Sequence, residues 1–304
     1  MTAALPPVVS ARRLRKRFAS NLALADFTVD VPAGAVFALV GPNGAGKTTA
    51  LKTMLNVVRR DGGTATVMGV DSTRVGVPEF QRIAYVSEEQ KLPDWMTVGY
   101  FLRYLRPFYP AWTDDEASAL VAAYELPLDR PLKALSRGMR MKAALASSLA
   151  YRPKLIILDE PFGGLDVVVR DQLIGTILER VPESTVIISS HDLGEIETFA
   201  THLAYVEGGR VRFSEEITTL SDRFREIEVT LEDDAELPAE WPERWWRPER
   251  TPAMLRFFES GFSEGATQRE VTERIRGVRQ VEVRRMPLRS IFLETARHGK
   301  EHAQ

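Results

Sequence analysis

Directly after the apolar run Ala35-Val-Phe-Ala-Leu-Val40 the chain reads Gly41-Pro-Asn-Gly-Ala-Gly-Lys47-Thr48-Thr49 and continues into a helical segment, TALKTML. Strand, glycine-rich loop and helix in that order constrain the fold more than any other feature. Glycines let the backbone wrap a polyphosphate with successive N–H groups turned inward, and the helix N-terminus adds a favourable dipole for the anion. The G-x-x-x-x-G-K-[ST] spacing carries that meaning only between a strand and a helix, its context here. Asn43, Gly44, Ala45, Gly46, Lys47, Thr48 and Thr49 are therefore the candidate nucleotide-binding residues. Lys47 is placed to reach the β and γ phosphates, and Thr48 to offer its hydroxyl to Mg²⁺, a hard ion that shares itself between protein and phosphate.

Three further strand-sized runs, RIAYVS, KLIILD and TVIISS, accompany AVFALV. Near-continuous apolar strands alternating with helical segments predict an α/β layer fold around a parallel sheet. This texture extends from Val8 to about Phe224, so a first domain is predicted over 1–224. Within it a helical insertion is predicted over about 96–150, where Tyr100, Tyr104 and Phe108 recur every four residues and Thr113 with Glu116 spells a capping box. A small α+β domain is predicted over 225–304, with REIEVTL, MLRFFES and RQVEVRR as strands and ATQREVTERI and LRSIFLETAR as helices. The acidic, Pro- and Trp-containing stretch 232–249 reads as a long loop.

Composition narrows the chemistry. With 304 residues there is length for two domains. Forty Lys plus Arg against 42 Asp plus Glu disfavour a purely electrostatic nucleic-acid binder, so no nucleic acid is expected as partner. The absence of cysteine removes disulfides, thiolate metal sites and thiol nucleophiles. No run approaches the roughly 18 apolar residues of a membrane span, and the basic cluster Arg12 to Arg17 follows the short N-terminal apolar stretch, so no signal peptide is read.

KLIILDEP places Asp159 and Glu160 at the end of a buried strand, the sheet edge where ligands bind in α/β folds. Asp159 suits holding a Mg²⁺ hydration shell, and Glu160 suits activating a water as general base; solvated acids opening a loop are the alternative. TVIISSHD ends its strand in His191, whose neutral imidazole can bridge a γ phosphate and Glu160 or serve structure alone.

Leu135-Ser136-Arg137-Gly138-Met139, placed before the Asp159 strand, completes a set that resembles the nucleotide-binding domain of ATP-binding cassette (ABC) proteins over about residues 8–224. Ser136 and the Gly138 amide stand at the positive end of the next helix, a second anion site, although a plain helix cap accounts for the same serine. The resemblance implies a P-loop NTPase fold with a helical subdomain, ATP and Mg²⁺ as cofactors, and a head-to-tail dimer in which this loop completes the site of a second nucleotide-binding domain, identical or not. Phe18 matches the family's adenine-stacking aromatic, with a buried strand aromatic as the alternative. Asp166, in Gly164-Leu165-Asp166, matches the loop that communicates between sites, and Glu88 stands where most of the family has a metal-touching glutamine. Glu88, Arg137 in place of a glycine and Met139 in place of a glutamine depart from the pattern and bear on hydrolysis rate.

The segments LSRGM, FYPAW and LRSIFLETA resemble single-domain ATPases of bacterial exporters, which implies a separate transmembrane permease subunit and a peripheral place on the cytoplasmic face of the membrane. Most of Trp95, Tyr100, Phe101, Tyr104, Phe108, Tyr109 and Trp112 are expected in the core, with a few left exposed as a docking groove. Non-transport ABC ATPases of DNA repair or the ribosome are the rival reading, disfavoured by the lack of sustained heptads and of a second cassette. A weakly active regulatory ATP-binding module is the third.

Overall fold

The computed structural model describes residues 6–301. Its strands are β1 Val9–Phe18, β2 Asn21–Val31, β3 Val36–Val40, β4 Gly62–Val67, β5 Val70–Asp71, β6 Ile83–Ser87, β7 Leu155–Asp159, β8 Thr185–Ser190, β9 His202–Glu207, β10 Arg210–Glu216, β11 Arg225–Glu236, β12 Trp245–Arg250, β13 Met254–Glu259 and β14 Arg276–Arg285. Its helices are α1 Lys47–Met54, α2 Val77–Phe80, α3 Val98–Leu105, α4 Asp114–Ala123, α5 Arg137–Leu149, α6 Val167–Arg180, α7 Ile217–Arg223, α8 Ala266–Arg274 and α9 Leu288–Glu301. One sheet has the order β5-β4-β1-β2-β10-β9-β3-β8-β7-β6, and the other β12-β13-β11-β14.

The four apolar runs read from the sequence are β3, β6, β7 and β8. They are mutually parallel and, with β9, form one half of the large sheet, in the order β9-β3-β8-β7-β6 with β6 at the edge. Every residue of β3, β7 and β8 is buried, which is why these strands show no polar alternation. Ser87 pairs with Asp159, and Asp159 with Ser189, so β6, β7 and β8 end in one row. Val40 pairs with Ser190, which brings the loop after β3 to the same row.

The antiparallel pair β1–β2 was not legible. Its alternation breaks where Arg13 takes a positive φ of 48° and the register shifts between Ala11 and Leu14. The helical insertion is present as α3 to α5. Thr113 caps α4, accepting from the Glu116 N–H at 3.3 Å, but the reciprocal half of the capping box is replaced: the Thr113 N–H donates to the Ala150 carbonyl, and the buried Glu116 carboxylate pairs with Arg152 and Arg180.

The chain divides into two compact units after Ser214, ten residues before the Phe224 expected. α7 goes with the second unit because Arg223 donates to Glu215 through Nε at 2.8 Å and to the Ser260 carbonyl at 2.9 Å. In that unit the expected loop 232–249 is corrected: β11 runs on to Glu236, and β12 is a strand. Pro248 hid it. Proline is tolerated because β12 is an edge strand with a register shift between Trp246 and Glu249. Trp245 is a core anchor, stacked on Phe257 at 4.4 Å and donating to the buried Glu259 at 2.8 Å. Of the basic residues near β14, Arg274, Arg276 and Arg284 each pair with a glutamate on this unit's own surface.

Candidate nucleotide site

Gly41 needs its missing side chain, because a Cβ there would run into the Val206 carbonyl. Gly46 has φ 105°, and a Cβ on it would stand 2.6 Å from the Ala23 carbonyl. Only glycine serves at both positions, so the loop is held close to β2 and β9. Gly46 is also the N-cap of α1 and provides no side-chain cap, which leaves the first N–H groups of the helix to be met by an anion. A cleft of about 270 Å³ opens over this loop, lined by Phe18, Asn21, Ala23, residues 43–49 and Glu160. Phe18 is exposed at the end of β1 rather than buried, with the Lys16 ammonium 5.1 Å from its ring centre.

Lys47 is 5% exposed. Its Nζ donates to the carbonyls of Gly41 at 2.8 Å and Pro42 at 3.3 Å and pairs with Glu160 Oε1 at 3.0 Å. Thr48 donates to Asp159 Oδ1 at 2.9 Å, Ser189 donates to the same oxygen at 2.7 Å, and Tyr85 donates to Oδ2 at 3.0 Å. Burial, reinforced by the Asp159 charge, pushes the Tyr85 phenol upward, so it remains a donor.

Glu160 begins the loop after β7 with a positive φ of 51°, a strained conformation for a side-chain-bearing residue. Its N–H donates to the Ser189 carbonyl at 3.2 Å and to Ser189 Oγ at 2.9 Å, which fixes the turn. Its Oε2 meets His191 Nδ1 at 2.8 Å. Burial acts to raise the Glu160 carboxyl, but hydrogen bonds from His191 and Lys47 outweigh it and hold the group below its usual range. The hydrogen bond to Glu160 raises His191 above the ordinary imidazole value. An ionised carboxylate only accepts, so Nδ1 carries the hydrogen. A neutral ring would then offer Nε2 as an acceptor, and only the imidazolium has a second donor for a phosphate. The raised value favours the protonated ring, where the sequence reading takes a neutral one.

The pair's stabilising effect is present above the carboxyl's ordinary value and fades as pH falls through its lowered one. On the imidazole side it is full below about 6.5 and fades as pH rises through the raised value. His191 is expected to titrate above 6.5 in ring-proton NMR and to fall back toward that value in Glu160→Gln. An unmoved titration would show that the contact is not formed in solution.

The structure keeps the remaining sequence-read residues apart from the cleft. Ser136 is the exposed N-cap of α5, accepting from the Met139 N–H at 3.3 Å, and Gly138 lies where a Cβ would press on Val169. Asp166 caps α6, accepting from the Val169 N–H at 2.9 Å. Neither Ser136 nor Gly138 lines the cleft. Glu88 pairs with Arg137, while its N–H donates to the Asp159 carbonyl at 3.2 Å. Sequence reasoning passed over Tyr85 and Ser189, which fix Asp159; register with the strand-end acids was the signal that locates them.

A family model described as ABC transporter matches residues 24–163. The ATP-binding protein YtrB of Bacillus subtilis (strain 168), an ABC transporter component, is 29% identical over 232 residues, 76% of this chain and 79% of that protein. Residues 24–163 therefore carry an ABC transporter domain. The chain is also similar to the sulfate/thiosulfate import ATP-binding protein CysA of Xanthomonas campestris, 36% identical over 211 residues. That match covers 65% of this chain and spans 61% of the relative's length. A solved ATP-binding subunit of an ABC transporter shares the fold, with a TM-score of 0.65 at 24% identity over 71% of this chain and 92% of that one.

Proposed function

We propose that the chain is the ATP-hydrolysing subunit of a membrane exporter, in which ATP closes two cassettes head to tail and hydrolysis reopens them. The observation that carries this reading is the division of the ATP machinery. Phe18, the phosphate loop and Glu160 share one cleft, while Ser136 and Gly138 stand outside it at an exposed helix start. Two such half-sites become whole when each chain offers its α5 start to the other's cleft. Val167 and Val168, 59% and 69% exposed beside Asp166, give that face apolar surface to bury.

In this reading Phe18 stacks on adenine, the amides of residues 43–49 and Lys47 hold the phosphates, Glu160 takes a proton from the attacking water, and His191 holds Glu160 and the γ phosphate in line. The oxygens of Thr48 and Asp159 suit Mg²⁺, and no group of three or more His, Cys, Asp or Glu among the described residues is arranged to hold a metal ion by itself. A cation here would therefore rely on phosphate and water oxygens, as Mg²⁺ does. Mg²⁺ would supply neutralisation of charge on the phosphates.

No helix among the described residues is long and apolar enough to cross a membrane; in this reading the cargo path belongs to a separate membrane subunit. Its docking face is the aromatic stripe of the helical insertion. Here the expectation of a mostly buried set is reversed: Trp95, Tyr100, Tyr104 and Phe108 are exposed, and only Phe101 of the seven is fully buried. α3 turns Val98, Gly99, Phe101 and Leu102 inward, which leaves Tyr100 and Tyr104 on its outer side. Trp95 packs on Tyr100 and Tyr104 on Phe108 at 5.8 and 5.7 Å, a preformed surface rather than scattered residues.

Capture of the tagged chain from gently solubilised membranes tests the reading. A stoichiometric multi-span protein is expected, and Trp95→Ala with Tyr104→Ala should cut its recovery about tenfold while leaving basal ATP turnover within about twofold. Recovery only in the soluble fraction, or with ribosomes or DNA, sinks the transporter reading. ATP-dependent accumulation of cargo inside inverted vesicles is the expected direction; depletion would make the complex an importer.

A further inference from the structure

The two departures Glu88 and Arg137 meet. The guanidinium of Arg137, first residue of α5, pairs with the Glu88 carboxylate in the loop after β6. One turn further along α5, Arg140 pairs with Asp94 at 2.8 Å and donates to the Leu132 carbonyl at 3.1 Å. Residues 88–94 are thus held to the start of one helix by two arginines three positions apart, the spacing that puts them on one face. The cleft left beneath them is about 70 Å³.

Arg137 has a second neighbour. A Cβ on Gly164, whose φ is 64°, would stand 2.6 Å from Arg137 Nη1, and one on Gly163 would collide with the Glu88 carboxylate. The two glycines therefore make room for the charge pair on the loop that follows Glu160. The Glu88 N–H, for its part, is bound to the Asp159 carbonyl. The ends of β6 and β7, the loop after Glu160 and the first turn of α5 meet at one ion pair.

We propose that Glu88–Arg137, seconded by Asp94–Arg140, is a clamp that makes Arg137 a positioning residue for hydrolysis. It fixes where Ser136 and Gly138 stand relative to the Asp159–Glu160 strand end, and it cancels the negative charge that Glu88 adds beside those acids. It also binds α5 to the segment leading into Trp95, so a load on the aromatic face is felt at that helix. The role of Ser136 and Gly138 toward a second nucleotide rests on the function proposed above; the clamp itself does not.

Both pairs are partly exposed, 51% and 38% for Arg137 and Glu88, so the effect is one of placement more than of stability. The test is a double-mutant cycle with Glu88→Gln, Arg137→Gln and both together, read by ATP turnover and by amide exchange of residues 88–94. Each single variant is expected to lose about fivefold in kcat with nucleotide Kd within about twofold, and the double variant to return within about twofold of the parent. The charge-swapped pair, Glu88→Arg with Arg137→Glu, should recover likewise, and the gap between parent and singles should narrow in 1 M salt. Exchange of 88–94 should quicken in each single variant and slow again in the swap. Additive losses in kcat, or exchange unchanged by either single substitution, would overturn the clamp. If the parent hydrolyses no ATP, the proposed function falls, and the exchange arm still decides the clamp.

Discussion

Glu160→Gln is expected to lower ATP turnover by about a thousandfold while leaving ATP affinity within about twofold of the parent. The substitution keeps the shape of the side chain and an oxygen to accept from His191 Nδ1, but it removes the basic oxygen. Lys47 loses its ion pair with Oε1 yet keeps the Gly41 and Pro42 carbonyls, so the phosphate-gripping end of the cleft survives. ATP should then hold the chain in a long-lived dimer, visible as a doubled mass in light scattering with ATP and absent with ADP. Normal turnover in this variant would remove Glu160 from the role of base. A silenced variant that stays monomeric with saturating ATP would instead separate hydrolysis from the half-site argument.

The ATP cleft was legible because its parts are local in sequence. A phosphate loop needs glycine at 41 and 46 for reasons of backbone geometry, and the acids and histidine follow strands whose unbroken apolar character gives away a doubly covered sheet. Asp159 and Glu160 are held differently: one is locked by Thr48, Ser189 and Tyr85, the other turned by a positive φ toward Lys47 and His191. What the sequence did not display depends on pairings across space. The bulge at Arg13 hid β1, and Pro248 hid β12 because its tolerance depends on being at an edge. The i, i+4 rhythm of Tyr100, Tyr104 and Phe108 was real, but periodicity says only that residues share a face, not which way that face points. Glu88 was placed by homology of position with a metal-touching residue; its contact with Arg137, 49 residues away, has no local signature.

Lys47→Met should abolish tight ATP binding, with affinity falling by a hundredfold or more. Truncating one member of a buried, hydrogen-bonded charge pair costs about 2–5 kcal/mol, a factor of roughly 30 to several thousand in Kd. Met preserves the length of the stem in a site where Lys47 is 5% exposed, so packing is largely kept and the loss reports on charge. Glu160, its side chain 19% exposed, would then face the phosphates with His191 as its remaining partner, and a carboxylate next to a polyanion opposes binding. Two effects are thus combined in the single substitution, a missing cation and an unmasked anion. They separate in Lys47→Met with Glu160→Gln, which removes the repulsion but not the deficit: affinity should recover by about tenfold without reaching that of the parent. Lys47→Arg retains the charge but brings a planar fork into a pocket shaped for an ammonium between two carbonyls, and it should bind ATP poorly as well. Titration with a fluorescent ATP analogue measures all three, and a thermal melt within a few degrees of the parent excludes misfolding as the cause. Parent-like affinity in Lys47→Met would mean that the cleft over the phosphate loop is not where the nucleotide sits.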